Sequence, residues 1–189
     1  MRLIHLLYID LHLPKGLILN AFVNCVRSHV IVLEDSLQNQ LRIDSALTTE
    51  IKKHIESRSI VPSHLIEQII EQHIDPTSTQ DTVIVGYPKS IQQLESFEKF
   101  AHAKALHISR CWHFKHADFD LFVDKAKRAW HAKHGDDTLD HWASINRTTK
   151  EVGSLKSTNK YLWAVVELTY ENFNRAAYIE GEIVKNINA

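Results

Sequence analysis

The sequence predicts an α/β fold, a parallel sheet wrapped by helices on both faces, and three observations carry that prediction. Short apolar runs alternate with helix-like stretches along the whole chain of 189 residues. The runs are near-continuously apolar, as strands buried on both faces are, rather than alternating. The length is that of about one domain, and no repeat or low-complexity linker interrupts it.

Each element follows in order. Leu3 to Ile9 is an apolar run bounded by Asp10 and Pro14. It is too short to span a membrane and lacks a signal-cleavage pattern, so it reads as a central strand. Leu17 to Val26 is the helix that follows, and Val30 to Leu33 is a second strand. Residues 35–57 are polar and helix-like, with Asp35 or Asp44-Ser45 as caps. Pro62-Ser63 opens a helix in which Leu65, Ile66, Ile69, Ile70 and Ile74 recur at three-to-four spacing. Asp75 to Thr79 is a loop and Val83 to Val85 a third strand. Ser90 starts a helix with Leu94, Phe97 and Phe100 on one face. Ala105 to Trp112 is a fourth strand, Phe119 to Trp130 a helix, and Gly135-Asp136-Asp137 stops it and caps another over 138–151. Tyr161 to Leu168 is the fifth strand, and 171–187 a closing helix carrying Phe173, Tyr178, Ile179 and Ile183.

Composition narrows the function classes. Apolar and charged fractions of 44% and 24% are those of an ordinary globular domain. With 22 basic and 23 acidic residues the formal net charge is −1, which gives no reason to expect nucleic-acid or anionic-membrane binding. Thirteen histidines make the charge sensitive near neutral pH. Cys25 and Cys111 form no CxxC or zinc-ribbon spacing and read as reduced, buried thiols of a cytoplasmic protein.

The most specific motifs lie between residues 51 and 100. IleLysLysHisIle at 51–55, Ser59-Ile60-Val61-Pro62, an amphipathic helix, and then Val83-Ile84-Val85-Gly86-Tyr87-Pro88-Lys89 followed by Gln93 and Glu95-Ser96-Phe97-Glu98 occur in a fixed order. Lys127-Arg128 and Gly135-Asp136-Asp137 lie further on. In these residues the chain resembles the short-lid adenylate kinases (nucleoside monophosphate kinases) over essentially its whole length. The resemblance implies a P-loop NTPase-like, three-layer α/β/α fold with a five-stranded parallel sheet in a single domain over 1–189. It also implies a monophosphate-side helical insert at about 35–74 and a short lid remnant at about 129–137.

The same resemblance exposes departures. A phosphate loop works because glycines let successive backbone N–H groups close around the phosphates. Where the family reads Gly-x-Pro-Gly-x-Gly-Lys-Gly-Thr, this chain reads Ile9-Asp10-Leu11-His12-Leu13-Pro14-Lys15-Gly16-Leu17. Three glycines have become Ile9, His12 and Pro14, Asp10 places a carboxylate among them, and the magnesium-binding hydroxyl has become Leu17. Lys15 and Gly16 remain. Gln38 stands at the position of a phosphate-gripping Arg, and Val85 at that of an Asp near the magnesium. Lys89 replaces another Arg and loses its bidentate fork. Among the lid positions Arg128 matches an Arg, Asp124, His134 and Ile145 do not, and Arg147 lies two residues past the last.

Two His-x-x-His pairs, His113/His116 and His131/His134, the latter near Asp137 and His141, suggest zinc by residue type; without a firm third ligand they read as ordinary histidines. His12 has no Ser or Cys partner for base chemistry. Trp112, Trp130, Trp142 and Trp163 read as core or interface residues, and Asp136-Asp137 as a helix cap.

The expectation is an adenylate-kinase-like protein with phosphotransferase activity lost or much reduced, retaining weak binding of a nucleoside monophosphate. The contacts expected for it are Gly16, Val61, Gly86, Lys89, Gln93 and Arg147, with Lys15 and Arg128 as the catalytic residues if phosphotransfer persists. An active nucleoside monophosphate kinase using ATP and Mg2+ through a remodelled loop is the first alternative. The second is an interaction or structural protein, as a homodimer or with another protein partner. No metal site and no nucleic-acid or membrane partner is expected.

Overall fold

The computed structural model describes residues 2–10, 13–118, 124, 128, 150–169 and 171–188. Strands β1 (Arg2–Ile9), β2 (His29–Val32), β3 (Thr82–Val85), β4 (Leu106–His116) and β5 (Trp163–Leu168) form one sheet in the order β2-β3-β1-β4-β5. Every pairing is parallel. The predicted α/β class and five-stranded parallel sheet are both present, and the architecture is consistent with that of the P-loop kinases.

Central β1 explains why its sequence lacks alternation. Ile4, Leu6 and Tyr8 enter the core on one face, and Leu7 enters the core on the other. Helices α1 (Lys15–Val26), α2 (Leu33–Gln40), α3 (Ala46–Glu56), α4 (Ser63–Gln72) and α5 (Ile91–Ala103) follow in chain order. A helical stretch over 150–156, α6, precedes β5, and α7 (Ala176–Ile187) follows it. Ile18 and Phe22 of α1 and Ile179 and Ile183 of α7 cover the Leu7 face. Ile66 and Ile70 of α4, Leu94 and Phe97 of α5, and Val152 and Leu155 of α6 cover the face of Leu6 and Tyr8. Three layers result.

Several boundaries differ from expectation. The helix-like segment 35–57 breaks into α2 and α3 because Ser45 caps the second: its Oγ accepts the Thr48 N–H at 3.1 Å. The Thr48 hydroxyl donates to the Gln40 carbonyl at 2.8 Å, which ties the end of α2 to the start of α3. Asp35 lies inside the first turn of α2 rather than capping it. The closing helix begins at Ala176, after a turn in which the Thr169 N–H donates to Asn172 Oδ1 at 2.7 Å. Of the expected helices at 119–130 and 138–151, residues 124, 128 and 150–151 are described and are helical; the Gly135-Asp136-Asp137 stop lies outside the described residues.

β4 runs past the expected end at Trp112 to His116. Ile4 pairs with Ile108 and His5 with Arg110, so Ser109 is an extra residue, a β-bulge. Below the bulge Leu106 and Ile108 face the α5 layer, and above it Cys111 faces the same layer. Trp112 and Phe114 face α1. The bulge re-phases the strand.

Candidate functional site

Parallel sheets place ligand sites at the carboxyl ends of strands where neighbouring connections leave on opposite faces. Here the adjacent strands β1 and β3 satisfy that condition, since α1 covers one face and α5 the other. A cleft of about 460 Å³ opens at this point. Its wall is apolar, from Tyr8, Ile9, Leu13, Val32, Leu33, Leu37 and Val85, and its polar residues are Asp10, Lys15, Glu34, Lys89 and Glu151, with Gly86 at the rim.

Two described backbone donors of the loop after β1 bond within the loop itself. The Leu13 N–H donates to the Asp10 carbonyl at 3.2 Å and the Lys15 N–H to the Leu13 carbonyl at 2.8 Å. Pro14 between them has no N–H. The Asp10 N–H extends the β1–β4 ladder, donating to the Phe114 carbonyl at 2.9 Å. Lys15 lines the cleft, with its Nζ 3.3 Å from Glu34 Oε2 in an exposed ion pair.

Asp10 itself is 3% exposed and lies 2.9 Å from His113 Nε2, at the level where β4 continues beyond Trp112. Lys156 Nζ on α6 is 3.4 Å from His113 Nδ1. With Lys156 donating to Nδ1, the Nε2 N–H donates to Asp10, and the three groups form one continuous donor chain ending on the carboxylate. Lys156 also lies over the Trp163 ring at 5.2 Å, and that ring packs against Tyr8 at 5.6 Å. Burial lowers the Lys156 pKa, and nearby Lys115 lowers it further while Asp10 pulls it back.

The loop after β3 is built differently. Gly86 has φ +80, a conformation an L side chain rarely adopts, and its N–H donates to the Leu7 carbonyl at 3.0 Å. Tyr87 is buried, meets Phe97 edge-on at 5.6 Å, and donates its hydroxyl to Glu67 Oε1 at 3.1 Å. Burial raises the Tyr87 hydroxyl well above its ordinary pKa, and Glu67 raises it further. Tyr8 donates its hydroxyl to the Pro88 carbonyl at 2.8 Å, and the Tyr87-Pro88 peptide is cis. The Lys89 N–H donates to Gln93 Oε1 at 2.7 Å, while Ser90 Oγ caps α5 by accepting the Gln93 N–H. The loop is fully anchored.

Of the residues singled out in the sequence, the cleft brings together Lys15, Gly86 and Lys89. Gly16 is exposed in the first turn of α1. Val61 packs between the α4 core and the α3–α4 cluster instead of lining the cleft. Gln93 also lies outside the cleft wall, its amide oxygen taken up by the Lys89 N–H. Arg128 is helical and exposed, and Arg147 lies outside the described residues.

The His-x-x-His reading at His113/His116 does not survive the extension of β4, because positions three apart on a strand face opposite sides of the sheet. His12, Trp130, His131, His134, Asp137, His141 and Trp142 lie outside the described residues. Among the described residues no three His, Cys, Asp or Glu side chains are arranged to hold a metal, and no helix is long and apolar enough to cross a membrane. Trp112 is fully buried against Phe22, 5.0 Å away and edge-on. Cys111 is a buried thiol pushed up to about 12, and Cys25 is a half-buried one.

The Asp10–His113–Lys156 chain is the feature that sequence reasoning missed. Its available signal was the two-residue period Trp112-Phe114-His116, which continues the strand and sets His113 on the opposite face.

The chain is similar to adenylate kinases. It is 25% identical over 140 residues to the adenylate kinase of Mycobacterium sp. (strain MCS), a match covering 64% of this chain and 75% of that one. It is 30% identical over 87 residues to the adenylate kinase of Borrelia garinii subsp. bavariensis, covering 46% of this chain and 41% of the other. With the adenylate kinase of Thermoanaerobacter sp. (strain X514) it shares 25% identity over 75 residues, 35% of that protein's length. No family model matches the chain.

Proposed function

We propose that this chain is an adenylate-kinase-like protein whose phosphotransferase activity is lost or much reduced, and whose cleft at the carboxyl ends of β1, β2 and β3 binds a nucleoside monophosphate weakly. The observation that carries the reading is the loop after β1: its Leu13 and Lys15 amides are bonded to the loop's own carbonyls, and a buried carboxylate, Asp10, lines the cleft. Phosphoryl transfer is almost wholly positioning and charge neutralisation of the phosphates. Neither Leu17 nor Val85 offers an oxygen to a magnesium ion, so the residues present do not fit a magnesium–triphosphate complex and no transfer step is assigned to it.

The apolar wall supports a planar base, and Lys15 and Lys89 supply charge for one phosphate. Val61, Gln93, Arg128 and Arg147 remain candidate contacts for a closed, ligand-bound state. A thermal-shift panel with AMP, ADP, ATP, GMP and dTMP at about 1 mM, with and without magnesium, tests the reading, because a ligand that binds only the native state raises the midpoint. A rise with monophosphates supports it. A magnesium-dependent rise with ATP, together with phosphotransfer that Lys15→Ala abolishes, defeats it in favour of an active kinase. That alternative draws on one observation, the presence of Lys15 in the cleft wall.

A further inference from the structure

The cleft is large enough for more than a monophosphate, yet its charge is wrong for a longer phosphate chain. Its volume of about 460 Å³ is in the range of ordinary small-molecule sites. Among the described residues of its wall, two lysines, Lys15 and Lys89, stand against three carboxylates, Asp10, Glu34 and Glu151. Lys15 is already paired with Glu34. Asp10 is held in place. It is 3% exposed, bonded to His113 at 2.9 Å, and backed through that ring by Lys156 at 3.4 Å.

Its place matters as much as its charge. Asp10 is the first residue past β1, and it lines the same cleft as Lys15, the first residue of α1, and Lys89. One phosphate is offset by the two lysines, whereas each added phosphate meets a wall whose remaining charges are carboxylates. Resting on the nucleotide reading of the cleft, we propose that Asp10, fixed by the Lys156–His113 chain, is a charge filter that admits nucleoside monophosphates and turns away di- and triphosphates. In this role Asp10 is a specificity-determining residue and His113 and Lys156 are positioning residues.

Each further phosphate adds negative charge beside a carboxylate, a repulsion stronger near the protein than in bulk water and weakened as salt rises. Discrimination of AMP over ATP of roughly tenfold or more is expected. The experiment is calorimetric titration of the full chain with AMP, ADP and ATP in the presence of a chelator, comparing wild type with Asp10→Asn. The amide keeps the shape and an oxygen acceptor for His113 while removing the charge. The variant is expected to raise the ratio of ATP to AMP affinity about tenfold or more over wild type.

A second arm needs no variant. Raising the salt from about 0.05 to about 0.5 M screens whichever sign dominates. A repulsive filter predicts that ATP gains on AMP as salt rises, whereas a cleft that attracts polyphosphate predicts that ATP loses ground. Appearance of ATP binding in Asp10→Asn alone also supports the filter. AMP binding with an ATP-to-AMP ratio unmoved by the substitution and falling with salt overturns the filter and leaves the nucleotide reading standing. Absence of binding by every nucleotide to both proteins overturns the two together.

Discussion

The loops that leave β1 and β3 stand side by side at the carboxyl end of the sheet and have opposite characters. After β3, Gly86-Tyr87-Pro88-Lys89 keeps the pattern that makes it recognisable, and each of its features has a mechanical role: the positive φ of Gly86, the buried Tyr87 hydroxyl on Glu67, the Lys89 amide on Gln93. After β1, the Leu13 and Lys15 amides bond to the loop's own carbonyls, and Asp10 is a carboxylate fixed on His113. The β3 loop braces the scaffold, and the β1 loop sets Asp10 and Lys15 in the cleft wall.

Substitutions can break or sharpen this contrast. The largest effect is expected from Tyr87→Ala, which empties a fully packed aromatic site between α4 and α5. A loss of about 3–5 kcal/mol is expected in denaturant unfolding. A loss below about 1 kcal/mol would show that the β3 loop is not a structural anchor. Close behind is Asp10→Ala, which leaves His113 and Lys156 without their acceptor. About 3–5 kcal/mol is expected if the donor chain is as buried and coupled as its geometry indicates. A double-mutant cycle with His113→Ala measures the coupling directly, and non-coupling would return the β1 loop to an ordinary surface turn.

A smaller effect is expected from Tyr87→Phe, which keeps the ring and strands the buried Glu67 carboxylate, at about 1–3 kcal/mol. Near the bottom of the scale is Lys15→Ala. Its ion pair with Glu34 is exposed, so the stability change should stay within about 0.5 kcal/mol while nucleotide affinity falls. A stability loss comparable to that of Asp10→Ala would mean that Lys15 is structural after all.

The pH dependence probes the floor beneath both loops. His5 on β1 has its pKa lowered by burial, with Asp81 opposing and Arg110 assisting. In the unfolded chain it takes a proton at the ordinary value near 6.5. Its contribution is therefore fully present above that value and is lost as pH falls toward the folded-state value, since the unfolded state then binds the extra proton. Denaturant midpoints for His5→Phe are expected to fall less steeply than wild type below pH 6.5. Parallel profiles would remove His5 from the account.

Much of this was legible in the residues. Continuous apolar runs marked the buried parallel strands, and Ser90 marked the start of α5. Ser45 was legible as a cap within 35–57, but the break before it was not, because it depends on Thr48 reaching back to Gln40 across the gap. Nor was the Asp10–His113 pair, whose members are 103 positions apart and meet only after β4 is extended and re-phased. The strand was ended too early because His113, Lys115 and His116 look polar, although His113 and His116 are buried. Lys15, Gly86 and Lys89 came together in the cleft wall as local motifs tend to, while Val61 was drawn into the packing around α4.

The bulge at Ser109 has one more consequence. Ile108 and Arg110 already pair with consecutive residues of β1, so the register above and below needs no contribution from the residue between them. Position 109 is thus a spare link in the strand, and a chain shortened by that single residue should close the gap and keep His113 opposite Tyr8. Deletion, ordinarily the harshest edit a central strand can receive, is here the one expected to leave the face of the sheet as it was.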